Sequence, residues 1–304
     1  MSNLRIGTRR SPLALAQAEE IRLRLEATGV LAEIVPMSTS GDEGAPASSS
    51  PQGLKGLWID TILDALEAGD IDIAVHSAKD LPAEDDEGFT IAAVPEREDP
   101  ADVLVSREAA TLPAGALIGT SSLRRRAQLL AGFPGLEVVD LRGNVETRLR
   151  KLEEGEVDAA VLAAAGLSRL GLEPEHARAL PLAMMVPAPG QGCLAVQTRD
   201  DDDDTMAAVA PLDHAPSHRA LDAERSLMWR LGGGCALPLG AHAIVGVEAV
   251  SLSAIVATPD GTTVLRVQTE GGTPEDAAEA AAKELIELGA ERILAEVEDA
   301  AGRD

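Results

Sequence analysis

The chain has 304 residues, enough for two or three domains with substantial cores. Its formal charge at pH 7 is −25, and it contains two Phe, two Trp and no Tyr. The negative charge opposes a general affinity for nucleic acid, and so few aromatic rings leave no surface on which bases could stack. We therefore expect no nucleic-acid partner, and we assign the excess acid to a solvated surface.

Cysteine usage and hydropathy indicate a soluble protein of the reducing cytoplasm. Two cysteines cannot supply a disulfide framework, and the first ten residues, MSNLRIGTRR, lack the apolar stretch of a secretory signal. No uninterrupted apolar run approaches the length of a membrane span, so we expect no membrane partner. We also expect no metal, because two Cys and five His offer no paired-cysteine spacing.

The N-terminal stretch LRIGTRRSPLALAQAEEIRLRL predicts a short strand, a polar loop and a helix that Ser11 caps and Pro12 begins. LIGTSSLRRRAQLL at 117–130 and VVDLRGNVETRLRKL at 138–152 repeat this order. Each loop leads to a helix N-terminus, where free backbone N–H groups and the helix dipole favour an anion.

An internal echo indicates two domains of similar construction. LEAGDIDIAVHSAKDL at 66–81 and LEEGEVDAAVLAAAGL at 152–167 agree at 8 of 16 positions. Both predict a helix end, a Gly turn and a buried strand. We therefore predict an α/β fold with two doubly wound domains, whose ligand lies in the cleft at the carboxyl ends of the strands.

The C-terminal third has a different pattern. VEAVSLSAIVATPDGTTVLRVQT alternates apolar and polar residues on either side of Pro-Asp-Gly, which predicts a β-hairpin. One amphipathic helix, TPEDAAEAAAKELIELGAERILAEVE, should follow it, with Thr273 as N-cap and Pro274 in the first turn. These elements predict a small α+β domain.

Residues 120–150 carry six arginines and three acids, a local charge of +3 in an acidic chain. Salt bridging along the helices is one interpretation. The other is a pocket for a ligand with several carboxylates or phosphates, since guanidinium binds both in a planar, two-pronged manner. Arg9, Ser11 and the Thr-Ser-Ser at 120–122 favour the second interpretation.

HSAKD at 76–80 ends the first echoed strand, where the second copy has LAAAG. The apolar copy shows that the scaffold alone does not require charge at this position. Lys79 and Asp80 are either an exposed turn pair or part of the cleft. In a cationic cleft that excludes water, Asp80 could stabilise a developing positive charge.

Cys235 lies within GGGCALPLG, behind three glycines. Burial is the usual fate of a cysteine. Three glycines, however, allow a flexible or positive-φ backbone that leaves the thiol accessible for attachment of a ligand. The residues alone leave both readings open.

Nine stretches resemble one family, the hydroxymethylbilane synthases, also called porphobilinogen deaminases. They fall in order between residues 6 and 240: IGTRRSPLALAQA, KGLW, DIAVHSAKDLP, EREDPADVLVS, IGTSSLRRRAQL, LRGNVETRL, AAAGLSRLGL, PAPGQGCLAVQ and LGGGCALPLG. The resemblance therefore covers most of the chain and is more specific than any single motif.

The resemblance implies a transferase of tetrapyrrole and haem biosynthesis whose Cys235 carries a dipyrromethane cofactor through a thioether. Such an enzyme deaminates porphobilinogen to an electrophilic azafulvene, adds four units to the dipyrromethane primer and releases linear hydroxymethylbilane by hydrolysis. It also implies three domains. We place them at 1–94 with 192–212 (periplasmic-binding-protein-like), 95–191 (likewise) and 213–304 (α+β), and we expect a monomer.

The family pattern assigns roles to residues of this chain. Asp80 matches the catalytic carboxylate, which hydrogen-bonds pyrrole N–H groups and stabilises cationic charge. The positions that match cofactor binding are Cys235, Ser77, Lys79, Thr120, Ser122, Arg124, Arg125, Arg142 and Gly143. The positions that match substrate binding are Arg9, Ser11, Lys55, Trp58, Arg148, Arg169 and Gln191.

Three departures from the family pattern bear on these roles. Pro51 replaces a frequent lysine, in a segment, 40–54, that we predict to be a mobile loop. Trp58 replaces the usual Phe, and either lies against the cofactor or simply packs. Cys193 replaces the usual Ala of GQGA, and we expect a buried spectator thiol there.

A competing hypothesis is a two-domain anion-binding protein of the periplasmic-receptor type, which has the same cleft but performs no chemistry. It does not account for Asp80 in an anion site or for Cys235 on its glycine loop. A third possibility is an inactive paralogue, which the presence of both residues opposes.

Overall fold

The computed structural model describes residues 3–37, 51–84, 86–108, 113, 115–133, 135–232 and 237–301, without the side chains of 51–58 and 301. Cys235 and residues 40–50 of the predicted loop lie outside the described residues, as do the side chains of Lys55 and Trp58. The backbone of 51–54 forms the first turn of a helix, so our prediction of a loop to residue 54 is wrong there. Proline suits a first helical turn, which needs no N–H donor from it.

The strands and helices follow in chain order. The strands are β1 Leu4–Arg9, β2 Ala32–Met37, β3 Ile73–Ser77, β4 Phe89–Ala93, β5 Asp102–Ser106, β6 Leu117–Gly119, β7 Glu137–Val139, β8 Ala159–Ala163, β9 Ala177–Ala179, β10 Leu194–Arg199, β11 Leu239–Val245, β12 Val250–Ala257 and β13 Val264–Gly271. The α-helices are α1 Pro12–Ala27, α2 Pro51–Glu67, α3 Leu123–Gly132, α4 Val145–Glu153, α5 Ala164–Arg169, α6 Asp203–Val209, α7 Ala215–Arg230, α8 Pro274–Glu287 and α9 Ala290–Ala301.

The three predicted strand–loop–helix units are confirmed. Each helix is capped by a side chain at the position before it: Ser11 accepts from Ala14 N at 3.3 Å, and Ser122 accepts from Arg125 N at 3.4 Å. Asn144 caps α4. A capped N-terminus directs its remaining N–H groups toward whatever lies beyond the strand end.

Two five-stranded sheets share one topology. The first has the order β2-β1-β3-β10-β4 and the second β7-β6-β8-β5-β9. In each sheet four strands run parallel and one is inserted antiparallel to its two neighbours, β10 between β3 and β4 and β5 between β8 and β9. The echoed segments occupy equivalent places, since β3 and β8 both follow a helix end and a glycine with positive φ. This confirms two α/β units of similar construction.

The chain crosses between the two sheets twice. It leaves the first sheet after β4 at Ala93 and enters the second at Asp102; it leaves after β9 at Ala179 and returns at Leu194. We call residues 94–101 and 180–193 the crossing segments. They lie where the sequence places its domain boundaries, which remain a prediction.

The C-terminal part contains the antiparallel sheet β11-β12-β13, packed against α7 and α8. The predicted hairpin joins β12 to β13, and Thr273 caps α8 with Asp276 completing a capping box. Our prediction of a single helix after it is wrong, because Gly289, with φ of 99°, separates α8 from α9. Among the described residues, no helix has the length and apolarity to cross a bilayer.

Candidate active site

A cavity opens at the carboxyl ends of β1 and β3. Its lining includes Arg9, Ser11, Ser77, Lys79 and Asp80 from this end of the first sheet. Arg169, at the end of α5 on the second sheet, closes the opposite wall. The structure thus brings together six of the predicted site residues, in the cleft where we expected the ligand.

Lys79 and Asp80 lie on a short 3₁₀ turn, Ala78–Asp80, directly after β3. Ala78 N donates to Cys193 O at 3.1 Å, which holds this turn against the second crossing segment. Burial, together with the charges of Arg125 and Arg124, lowers the pKa of Lys79 to about 8, although Asp80 and Asp102 oppose the shift. Lys79 and Asp80 therefore belong to the cleft and not to an exposed turn.

Glycines allow the second crossing segment to approach this turn closely. Gly190 has φ of 72°, and a Cβ placed on it would lie 3.0 Å from Lys79 N. Gly192 has φ of 92°, and a Cβ there would lie 2.3 Å from Glu98 O on the first crossing segment. Both positions require glycine for space as well as for backbone conformation.

Arg124 and Arg125 are buried at the start of α3 and share one carboxylate. Arg124 Nη1 donates to Asp102 Oδ2 at 2.7 Å, and Arg125 donates to Asp102 Oδ1 from Nη2 at 2.7 Å and from Nε at 3.0 Å. Burial alone would raise the pKa of Asp102, but the two guanidinium groups hold it well below its usual range. The arginines are thus bound across the sheet, and not to neighbours along their own helix.

Arg148 and Arg142 occupy the next helix N-terminus. Burial lowers the pKa of Arg148, as does the charge of Arg125, while Asp80 opposes them, so these three groups act on one another electrostatically. Arg148 Nε donates to Gly143 O at 2.8 Å. Arg142 is exposed and pairs with Asp140 at 3.5 Å.

The remaining predicted residues have partners within the protein. Thr120 is buried and its hydroxyl accepts from Ser122 N at 3.2 Å. Gln191 is fully buried, and its Nε2 donates to Asp102 Oδ1 at 3.0 Å and to Pro100 O at 2.7 Å. Gln191 therefore contacts Asp102, the carboxylate that Arg124 and Arg125 share, and lies outside the lining of the cavity.

Sequence reasoning missed three residues here. Asp102 could have been identified as the one charged residue in an otherwise apolar stretch, ADVLV. Gln17 and His76 also line the cavity, and burial lowers the pKa of His76 to about 4, so its ring is neutral at pH 7. The Gln in LALAQA and the His in AVHSA interrupt apolar patterns, which is the signal that could have identified them.

Cys193 is fully buried against residues of the first α/β unit and Leu221 of α7, which confirms the expected burial. Burial raises the pKa of its thiol to about 12. At neutral pH it is therefore protonated and a poor nucleophile.

The fold and the cavity define a class of protein: an α/β protein with two similar units around a cationic cleft that also holds one carboxylate, Asp80. Guanidinium and ammonium groups at helix N-termini suit a ligand with several carboxylates. A carboxylate among them suits a ligand that also carries N–H groups or develops positive charge.

Comparison with known proteins identifies the family. The family model "Porphobilinogen deaminase, dipyromethane cofactor binding domain" matches residues 4–207, and "Porphobilinogen deaminase, C-terminal domain" matches residues 219–288. This chain belongs to the porphobilinogen deaminase family. It is an enzyme of that family, a transferase of tetrapyrrole biosynthesis with a dipyrromethane cofactor.

Curated relatives agree over nearly the whole length. Porphobilinogen deaminase of Chromobacterium violaceum is 46% identical over 98% of both chains, and that of Brevibacillus brevis is 44% identical over the same shares. Among solved structures, the methionine-binding protein MetQ aligns with a TM-score of 0.44 and 15% identity, over 69% of this chain and 89% of that one.

Proposed function

We propose that this chain assembles hydroxymethylbilane from four porphobilinogen molecules, with Asp80 as the catalytic carboxylate and Cys235 as the covalent anchor of the dipyrromethane. The observation that carries the proposal is the position of Asp80. It lines the cavity beside Lys79 and within electrostatic range of Arg148 of the second unit, where a pure anion receptor would have no use for a carboxylate.

The donor set of the cleft fits a dipyrromethane. Each pyrrole of this group brings an acetate and a propionate, so two rings bring four carboxylates. The structure supplies a partly buried ammonium, Lys79, which no hydrogen bond or ion pair joins to another described residue. Arg124 and Arg125 lie close enough to Lys79 to act on its charge, and Arg148 lies close enough to Asp80 to do the same. When bound, the dipyrromethane supplies the terminal pyrrole to which the first substrate unit is joined.

Asp80 has two tasks in this proposal. Its carboxylate accepts hydrogen bonds from pyrrole N–H groups, which orients the rings between the two sheets. It also stabilises the positive charge that develops on the substrate ring as ammonia leaves. Such stabilisation is strong only where water is excluded, and the partly buried position of Asp80 provides that environment.

Arg9, Ser11, Arg148 and Arg169 bind the substrate carboxylates. Arg9 and Ser11 lie in the cavity at the end of β1 and the start of α1, while Arg169 faces them from α5. A substrate between these walls would contact both sheets. Ser77, Thr120, Ser122, Arg142 and Gly143 serve the cofactor, and Lys55 and Trp58 the substrate. Gln191, which is fully buried and donates to Asp102, serves the substrate only through that carboxylate.

Intact mass tests the proposed anchor. Purified from a host that makes porphobilinogen, the protein should carry one adduct of two pyrrole units and should turn porphobilinogen over. Cys235→Ser should lose the adduct, and Cys193→Ser should keep it because that thiol is buried and protonated. An unmodified Cys235 without turnover would support the anion-receptor alternative and contradict the proposal.

A monomer in the cytoplasm completes the proposal. The near absence of cysteine and the −25 charge support a reducing compartment and a well-solvated chain. Light scattering of the purified protein measures the oligomeric state directly, and a dimer mass would contradict this part.

A further inference from the structure

The buried carboxylate of Asp102 matches no functional position of the family pattern, yet it binds two arginines that do, Arg124 and Arg125. It is fully buried at the first position of β5. Four N–H donors converge on it: Arg124 Nη1, Arg125 Nη2, Arg125 Nε and Gln191 Nε2, at 2.7 to 3.0 Å.

These contacts fix the orientation of Arg124 and Arg125, which the family pattern assigns to the cofactor. An arginine side chain has considerable rotational freedom, and a charge-assisted bond to a buried carboxylate removes much of it. Each guanidinium is also held by a backbone carbonyl, Arg124 by Val186 O at 2.7 Å and Arg125 by Val161 O at 2.9 Å. Within the part of the chain that the structure describes, Asp102 is the only carboxylate that pairs with either of them.

The same carboxylate connects the arginines to both crossing segments. Gln191 lies on the second crossing segment and donates to Asp102 and, at 2.7 Å, to Pro100 O on the first. One amide thus joins the two segments through which the sheets are connected. The orientation of the arginines and the relative position of the sheets are coupled at this point.

We propose that Asp102 is a positioning residue of the cleft: it holds Arg124 and Arg125 in the orientation that receives carboxylates of the cofactor and growing chain. With Gln191 it ties that orientation to both crossing segments. This inference rests on the proposed function, because the ligand is the polycarboxylate named there. Asp102 itself touches neither substrate nor cofactor.

The test compares Asp102→Asn with Asp158→Asn. Asp158 is a matched control, since it also lies beside the second sheet and accepts a backbone N–H, from Leu117 at 2.9 Å, but has no cleft arginine as partner. Cofactor occupancy is read from intact mass, and KM and kcat are measured on the loaded fraction. We expect Asp102→Asn to lower occupancy or raise KM by about tenfold or more, the usual effect of losing a group that orients a ligand-binding residue. Asp158→Asn should change neither by more than about twofold.

A second variant, Gln191→Met, tests the same role if Asp102→Asn does not fold. It leaves both ion pairs of Asp102 with the arginines in place. It should raise KM at least about threefold in protein that still unfolds cooperatively, by the same loss of orientation. Folded variants with wild-type occupancy and KM would overturn the role of Asp102 while leaving the proposed function intact. A wild-type protein without adduct or turnover would instead overturn the proposed function, and this inference with it.

Discussion

Arg169 on α5 and Glu20 on α1 form an ion pair across the cleft, with Arg169 Nε 3.0 Å from Glu20 Oε2. Helix α1 packs on the first sheet through Ile21 and Leu25, and α5 packs on the second through Leu167. The carboxylate of Glu20 therefore already pairs with Arg169, whose guanidinium we assign to substrate binding.

Glu20→Gln should therefore lower KM for porphobilinogen by about threefold, because substrate no longer competes with a charged partner for Arg169; a gain of this size is typical of a partly exposed ion pair. Steady-state kinetics at low ionic strength measures the change. Glu19→Gln is the control and should leave KM unchanged, since among the described residues Glu19 pairs with Arg22 of its own helix, α1, and not with Arg169. An increase in KM would show that the pair supports substrate binding.

Asp80→Asn should abolish turnover almost completely while the protein remains folded and loaded. The amide keeps the shape of the side chain but cannot stabilise a developing cation, a loss worth about 100-fold or more in kcat. Single-turnover kinetics on protein whose adduct is verified by mass measures it. Asp64→Asn, on the exposed surface of α2, should be as active as the parent. Normal turnover by Asp80→Asn would remove this carboxylate from the mechanism.

Lys79→Met should stabilise the cofactor-free protein at pH 7. The pKa of Lys79 is lowered by burial from 10.5 to about 8, so below pH 8 the folded state carries a charge whose burial costs up to about 3 kcal/mol. As pH rises from about 8 to 10.5, the folded protein loses this proton before the unfolded chain does, and the cost disappears.

Urea unfolding of Cys235→Ser with and without Lys79→Met measures this effect. The gain should be full at pH 7 and nearly absent at pH 10.5. Lys283→Met, on the exposed face of α8, should give no such pH dependence. A gain that persists at pH 10.5 would indicate an effect of packing in place of charge burial.

Glu224→Gln should strongly destabilise the junction between the crossing segments and the C-terminal part. Glu224 on α7 is fully buried and accepts from Arg97 Nη1 at 2.6 Å, Gly190 N at 2.6 Å and Ala243 N at 2.8 Å. Removing one partner of a buried ion pair costs about 3–5 kcal/mol because the other charge is left uncompensated.

Urea unfolding of the single and double variants with Arg97→Met measures the coupling, and the double variant should be less destabilised than the sum of the two. The exposed pair Arg230–Glu279, at 3.6 Å, provides the control. Glu279→Gln should cost less than about 1 kcal/mol. Additive effects at Glu224 and Arg97 would contradict a direct coupling.

Local patterns in the sequence predicted the modules of this fold well. Ser11 and Ser122 cap their helices because cap chemistry depends on residues three positions apart. The position of Asp80 and Lys79 at a strand end followed from the echo with 152–167. The prediction of a single C-terminal helix was wrong at Gly289, where the amphipathic pattern continues but the backbone adopts positive φ.

The partners of the cleft arginines could not be predicted in this way. Arg125 and Asp102 are 23 residues apart, and they meet only because β5 enters the second sheet antiparallel beside β8. Periodicity gives no sign of that insertion. It also gives no sign that Gln191 turns to Asp102, since this contact depends on where the chain returns between the sheets.

Because β10 is inserted antiparallel between β3 and β4, the first sheet can be completed only after the second during synthesis on the ribosome. Strand β4 is joined to the first sheet only through β10, which pairs with β3 on one side and β4 on the other. Every strand of the second sheet precedes β10 in the chain. The sheet that begins at residue 4 thus stays open, with an unsatisfied edge on β3, until the second sheet has been translated.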